Sequence, residues 1–112
     1  MKGHLSTHVL DIENGKPAAG LSVELWQISK GERTLLKKVL TNAEGRTDSA
    51  LLDPAEMHPG EYEIIFQVGA YFGVKNSFLN EVPVRFNIED PTEGYHVPLV
   101  VSRWAYNTYR GR

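Results

Sequence analysis

An all-β sandwich is the fold class this sequence predicts, and three observations predict it. Val, Ile, Leu, Thr and aromatic residues come in short runs of strand length. Clusters of Gly, Pro, Asn and Asp separate the runs, and no long helical periodicity connects them. With 112 residues, 41% of them hydrophobic, the chain has material for one core and none for a second, so residues 1–112 read as a single domain.

The elements follow in order. Leu5–Ile12 alternates polar and apolar residues and is predicted as the first strand; Glu13-Asn14-Gly15-Lys16-Pro17 turns the chain, with Asn-Gly supplying the positive φ of a tight turn. Leu21–Ser29 and Arg33–Thr41 follow as strands, and Asn42-Ala43-Glu44-Gly45 turns into a fourth over Arg46–Ala50. A polar connection, Asp53 to Gly60, leads to Tyr62–Val68. Ala70–Ser77 is compatible with a short helix or an irregular crossover, because eight residues carry too little periodicity to separate the two. Val82–Ile88, Tyr95–Val101 and Arg103–Tyr109 complete the strands, the last running to the chain end where most domains fray.

Composition narrows the chemistry. There is no cysteine, which removes disulfides, thiolate zinc sites, iron–sulfur ligation and cysteine nucleophiles. The formal charge is -2 with both signs scattered, so no basic stripe exists to neutralise phosphates, and nucleic acid is not an expected partner. The longest apolar run, Val97-Pro98-Leu99-Val100-Val101, falls far short of the roughly 20 residues that cross a bilayer. Met1 to His8 lacks the apolar stretch of a secretory signal, and Arg110-Gly111-Arg112 is not a peroxisomal tripeptide, so the expected location is the cytoplasm.

Four histidines, the arginines and the loop carboxylates remain for acid–base work. His4 and His58 fall in the N-terminus and a Pro-rich turn and read as solvated surface. His8 and His96 lie inside strands, where packing prefers branched or aromatic residues. They read either as hydrogen-bonded structural histidines or as a general base and acid with a pKa near neutrality. Period-two alternation puts His8 with Ser6 and Leu10, and His96 with Pro98 and Val100, on faces too apolar for ordinary solvent exposure, which suggests an interface or binding trough. Arg46, directly after Gly45, reads as a surface arginine or as a fixed fork of donors for a planar anion or carbonyl. No carboxylate or third histidine is placed to complete a metal site with His8 and His96. Trp104, Tyr106 and Tyr109 read as packing residues, with Tyr109 and Arg110 the terminal pair able to reach a site.

At these residues the chain resembles the transthyretin-like 5-hydroxyisourate hydrolase family. The matching blocks are Leu5-Ser6-Thr7-His8-Val9-Leu10-Asp11 with Gly15-Lys16-Pro17 and Val23-Glu24-Leu25-Trp26, then Thr41-Asn42-Ala43-Glu44-Gly45-Arg46-Thr47-Asp48, then Tyr95-His96-Val97-Pro98-Leu99-Val100-Val101-Ser102 and Tyr106-Asn107-Thr108-Tyr109-Arg110-Gly111. The resemblance implies a transthyretin-type (prealbumin-like) sandwich of two four-stranded sheets with one short helix after the fifth strand, which decides Ala70–Ser77 toward helix. It also implies a homotetramer whose sites lie between paired dimers, and hydrolysis of 5-hydroxyisourate without cofactor or metal. By the same resemblance His8, Arg46 and His96 are catalytic and Tyr109 and Arg110 bind substrate, while Arg112 stands where the family ends in serine. A transthyretin-like carrier of small aromatic ligands is the alternative, but such carriers lack this His, Arg, His and Tyr-Arg-Gly set.

Overall fold

Strand β1 (His4–Asp11) buries Leu5, Thr7, Val9 and Asp11 and turns His4, Ser6, His8 and Leu10 outward, the alternation expected of a sheet with one core face. The structure, a computed structural model, describes residues 3–73 and 77–111. The other elements are β2 (Lys16–Pro17), β3 (Ser22–Ser29), β4 (Glu32–Leu40), β5 (Gly60–Gln67), α1 (Val68–Phe72), β6 (Glu81–Ile88), β7 (Gly94–Val101) and β8 (Tyr106–Thr108). They form two four-stranded sheets, ordered β2-β1-β7-β8 and β4-β3-β5-β6. The core between them is built from Leu5, Val9, Leu99 and Val101 on one side and Val23, Leu25, Ile64, Phe66 and Val82 on the other.

The eight strands are not quite the eight expected. Arg46–Ala50 is no strand: only Arg46 makes an isolated bridge to β1, opposite His8, and Leu52 makes another, opposite Leu5. Between them the polar side chains bond locally, Thr47 Oγ1 to the Ser49 carbonyl and Asn42 to Asp48, and no continuous ladder forms. Its place in the count is taken by Lys16–Pro17, where the chain leaving the Asn-Gly turn pairs Pro17 with Leu10 on the edge of β1. The last strand starts three residues late, because Ser102 closes a turn: its N–H donates to the Ala105 carbonyl and its Oγ accepts from the Trp104 and Ala105 N–H groups. The helix begins at Val68, ahead of the expected Ala70, and ends at Gly73, whose φ of 68° is the left-handed cap that stops it. The expected helix also extended over residues 74–76, which lie outside the described residues, as does Arg112.

A buried carboxylate fixes the far end of β1. Asp11 accepts hydrogen bonds from the Asn14 backbone and side chain at 2.9 and 2.8 Å and from the Tyr71 hydroxyl at 2.7 Å. Burial pushes this carboxyl up, but the hydrogen bonds from Asn14 and Tyr71 outweigh it and hold it below the usual range. The same burial and the Asp11 charge push the Tyr71 hydroxyl up to about 12, so it stays a donor and ties α1 to β1. Among the described residues, no helix is long and apolar enough to cross a membrane.

The outer faces of the two sheets differ in kind. On the β4-β3-β5-β6 sheet, Glu63 is held between Arg33 at 2.8 Å and Arg85 at 3.2 Å, and Arg33 stacks over Trp26. Glu63, buried on that face, is thereby paired on both sides. The outer face of the other sheet carries the histidines.

Candidate active site

β1 and β7 are parallel neighbours, with Ser6 opposite His96, His8 opposite Pro98 and Leu10 opposite Val100. Equal registers keep both sets on one face, so the two histidines that sequence alone placed on separate strands share one surface, diagonally adjacent. Arg46 arrives from the other side of β1. Asn42 organises its turn, Oδ1 accepting from the Glu44 and Arg46 N–H groups, and the Gly45 carbonyl accepts from the Val9 N–H at 2.8 Å. Gly45 has a φ of 76°, and a Cβ there would overlap the Val9 carbonyl oxygen. Glycine at 45 therefore lets the backbone approach β1 closely enough for Arg46 to bridge His8.

His96 is the most constrained group of the set. Its Nδ1 lies 2.9 Å from Ser6 Oγ on β1. On the opposite edge of the ring stands Gly111, whose N–H donates to the His96 carbonyl at 2.7 Å. A Cβ at Gly111 would lie 2.8 Å from His96 Cδ2. The imidazole thus lies between Ser6 of β1 and the Gly111 backbone. Burial pushes its pKa below the ordinary imidazole value, and the charges of Arg46, His8 and His4 push it further the same way. Neutral His96 is the form this environment favours, a state able to accept or donate one hydrogen bond at each ring nitrogen's turn.

Gly111→Ala is accordingly expected to displace the His96 ring, lowering kcat about tenfold, the worth of one mispositioned hydrogen bond, with little change in the denaturation midpoint. A variant with native turnover would show that the ring tolerates the crowding.

The terminal pair divides. The register that sets Leu99 against Thr108 and His96 against Gly111 sets Tyr109 against Pro98, on the histidine side, and Arg110 against Val97, on the inner side. Arg110 stacks 4.1 Å from the Tyr95 ring and bonds Glu93 Oε1 and the Gly94 carbonyl, each at 3.0 Å. With Tyr109 and Thr108 it lines a cavity of about 510 Å³ against Tyr95, Val97 and Phe86. The histidines do not line it. Within one chain, His8, Arg46 and His96 come together, Tyr109 flanks them, and the Arg110 guanidinium is engaged elsewhere.

Three residues of this surface were not singled out by sequence. His4, read as solvated, is the first residue of β1, and its charge is felt at His96. Ser6 was visible only as a face-mate of His8, and Gly111 carried no signal beyond its place in a terminal motif. His58 is exposed in its turn, where its carbonyl accepts from the Tyr62 hydroxyl. Among the described residues, no three His, Asp or Glu side chains cluster as a metal site.

Comparison with known proteins adds three findings. The model of the HIUase/Transthyretin family matches residues 5–111. A 5-hydroxyisourate hydrolase of Halalkalibacterium halodurans is 51% identical over 119 aligned positions, covering 99% of this chain and 99% of that relative. Among solved structures, the Klebsiella pneumoniae 5-hydroxyisourate hydrolase superposes with a TM-score of 0.82 at 33% identity, covering 98% of this chain and 99% of the other. Sea bream transthyretin in complex with thyroxine gives a TM-score of 0.87 at 23% identity over 96% of this chain and 93% of that one, a likeness of fold.

Proposed function

The chain belongs to the HIUase/Transthyretin family, and from that premise we propose that it is a 5-hydroxyisourate hydrolase with His8, Arg46 and His96 as its catalytic set. The observation that carries the reading is the convergence of two imidazoles and a guanidinium on one sheet face, with His96 biased to its neutral form.

The chemistry needs three services. One imidazole takes a proton from water as its oxygen bonds to a ring carbonyl carbon. The ring C–N bond then breaks, the nitrogen leaves protonated, and the new carboxyl ionises, giving 2-oxo-4-hydroxy-4-carboxy-5-ureidoimidazoline in purine breakdown. The second imidazole orients the water or protonates the departing nitrogen. Arg46 holds the planar substrate and stabilises the developing oxyanion through its paired N–H donors. All of this uses side chains and water, so the reading involves no cofactor.

Tyr109 and Arg110 enter the proposal as substrate-binding residues, both lining the cavity beside the terminal strand. Because the catalytic set lies on an open sheet face beside exposed Leu10 and Ile12, the cleft is proposed to close in a homotetramer, at the interface between dimers. The proposed setting is the cytoplasm.

The deciding experiment adds the protein to freshly generated 5-hydroxyisourate and follows the substrate's ultraviolet absorbance. Accelerated loss supports hydrolysis; saturable binding without turnover supports the carrier alternative. For Arg46, Arg46→Lys keeps the charge and loses the fork. We expect a rise in KM of about tenfold or more, as for loss of a charged hydrogen bond, while His96 titrates as in the parent because the charge beside it remains. Unchanged kinetics would show that the bidentate geometry is not used.

A further inference from the structure

We propose that Ser6 is a positioning residue that holds His96 in the tautomer protonated on Nε2, so that His96 is the hydrogen-bond donor of the pair and His8 is the base. The inference rests on the hydrolase reading for its catalytic meaning. Its structural basis is separate.

Ser6 Oγ and His96 Nδ1 are 2.9 Å apart, and the serine hydroxyl has one proton to place. Among the described residues, Nδ1 is the one hydrogen-bond partner of that hydroxyl. Donation to Nδ1 satisfies both groups. Acceptance from an Nδ1–H would leave the hydroxyl proton with no protein acceptor among the described residues and with solvent as its one partner. A neutral imidazole whose Nδ1 accepts must carry its proton on Nε2.

Gly111 stands beside Cδ2, where the missing side chain leaves the ring its room, and its N–H closes the backbone on that side by donating to the His96 carbonyl. With Nδ1 engaged by Ser6, Nε2 is the ring nitrogen left available to a ligand. A nitrogen that already bears hydrogen cannot remove one from water. It can donate to the attacked carbonyl or hold the water in place. The proton then goes from water to His8 and from His8 to the leaving ring nitrogen, so the imidazole pair returns to its starting state with no net proton gained.

The experiment is nitrogen-15 NMR of histidine-labelled full-length protein, resting and without substrate, over a pH series, with kinetics on the same samples. The expected result is an unprotonated Nδ1 and a protonated Nε2 at His96 above its pKa. Ser6→Ala should mix the tautomers and lower kcat about tenfold with KM within about twofold, one hydrogen bond's effect. Ser6→Thr, which restores the hydroxyl, should recover both. An Nδ1–H tautomer in the parent, or a tautomer balance unchanged in Ser6→Ala, overturns the proposal. If the parent shows the Nε2–H tautomer and yet fails to consume 5-hydroxyisourate, the hydrolase reading falls and Ser6's control of the tautomer stands.

Discussion

His96→Ala is expected to lower kcat on 5-hydroxyisourate by about 10²–10⁴-fold, the usual contribution of a positioned acid–base group, in a protein that still folds. The second half of that expectation follows from the side of the strand involved. His96 lies on the outer face of β7, while the core is supplied by its neighbours Tyr95, Val97, Leu99 and Val101. Truncation leaves Ser6 Oγ without its partner, but on a half-buried face water replaces it. Turnover and the denaturation midpoint should therefore separate. A folded His96→Ala protein with native turnover would remove His96 from the mechanism. The companion expectation concerns charge. Burial and the neighbouring Arg46, His8 and His4 lower the His96 pKa, so more than half of the rings should be neutral at pH 6.5, the ordinary midpoint. It should gain its proton only at lower pH. An NMR titration with a midpoint above 6.5 would contradict that environment.

Gly45→Ala should damage stability and activity together. A residue with a side chain held at a φ of 76° costs about 1–3 kcal/mol. The added Cβ would in addition overlap the Val9 carbonyl, which already accepts from the Ala18 N–H at 2.9 Å. That carbonyl belongs to β1 and cannot withdraw without disturbing the ladder to β7. The turn must move away instead, taking Arg46 from its bridge opposite His8. The expected readings are a midpoint in urea lowered by the equivalent of about 1–3 kcal/mol and a fall in kcat/KM at least as large as that of Arg46→Lys. A variant with parental midpoint and parental kcat/KM would mean the close approach is dispensable.

Some of the site was legible before any fold was known, and the reasons are local. His8 stood out because a histidine in an otherwise branched strand conflicts with packing preference, and alternation alone put it with Ser6 and Leu10. The terminal pair Tyr109 and Arg110 was legible as a unit able to reach a site, and the two residues line one cavity. Arg46–Ala50 was misread for a different reason. Thr47 fits a strand, but strand formation needs a partner edge, and β1 accepts only Arg46 from this segment, with Leu52 just beyond it. The brief β2 was invisible because two residues carry no period, and Pro17 argues against a strand except on an edge.

The sequence by itself determined the class of fold, the single core, the inward set of β1 and β7 and the kinds of side chain available for chemistry, because period, composition and turn residues are properties of the chain within a few positions. Tertiary structure alone decided that β1 and β7 lie side by side in parallel, since parallel neighbours far apart in sequence leave no mark in local pattern. That one pairing brings Ser6 to His96 across 90 residues and His8 beside them. The antiparallel return of the chain along β7 sets Gly111 on the other side of His96, so the importance of Ser6 and Gly111 consists in what the fold sets against them.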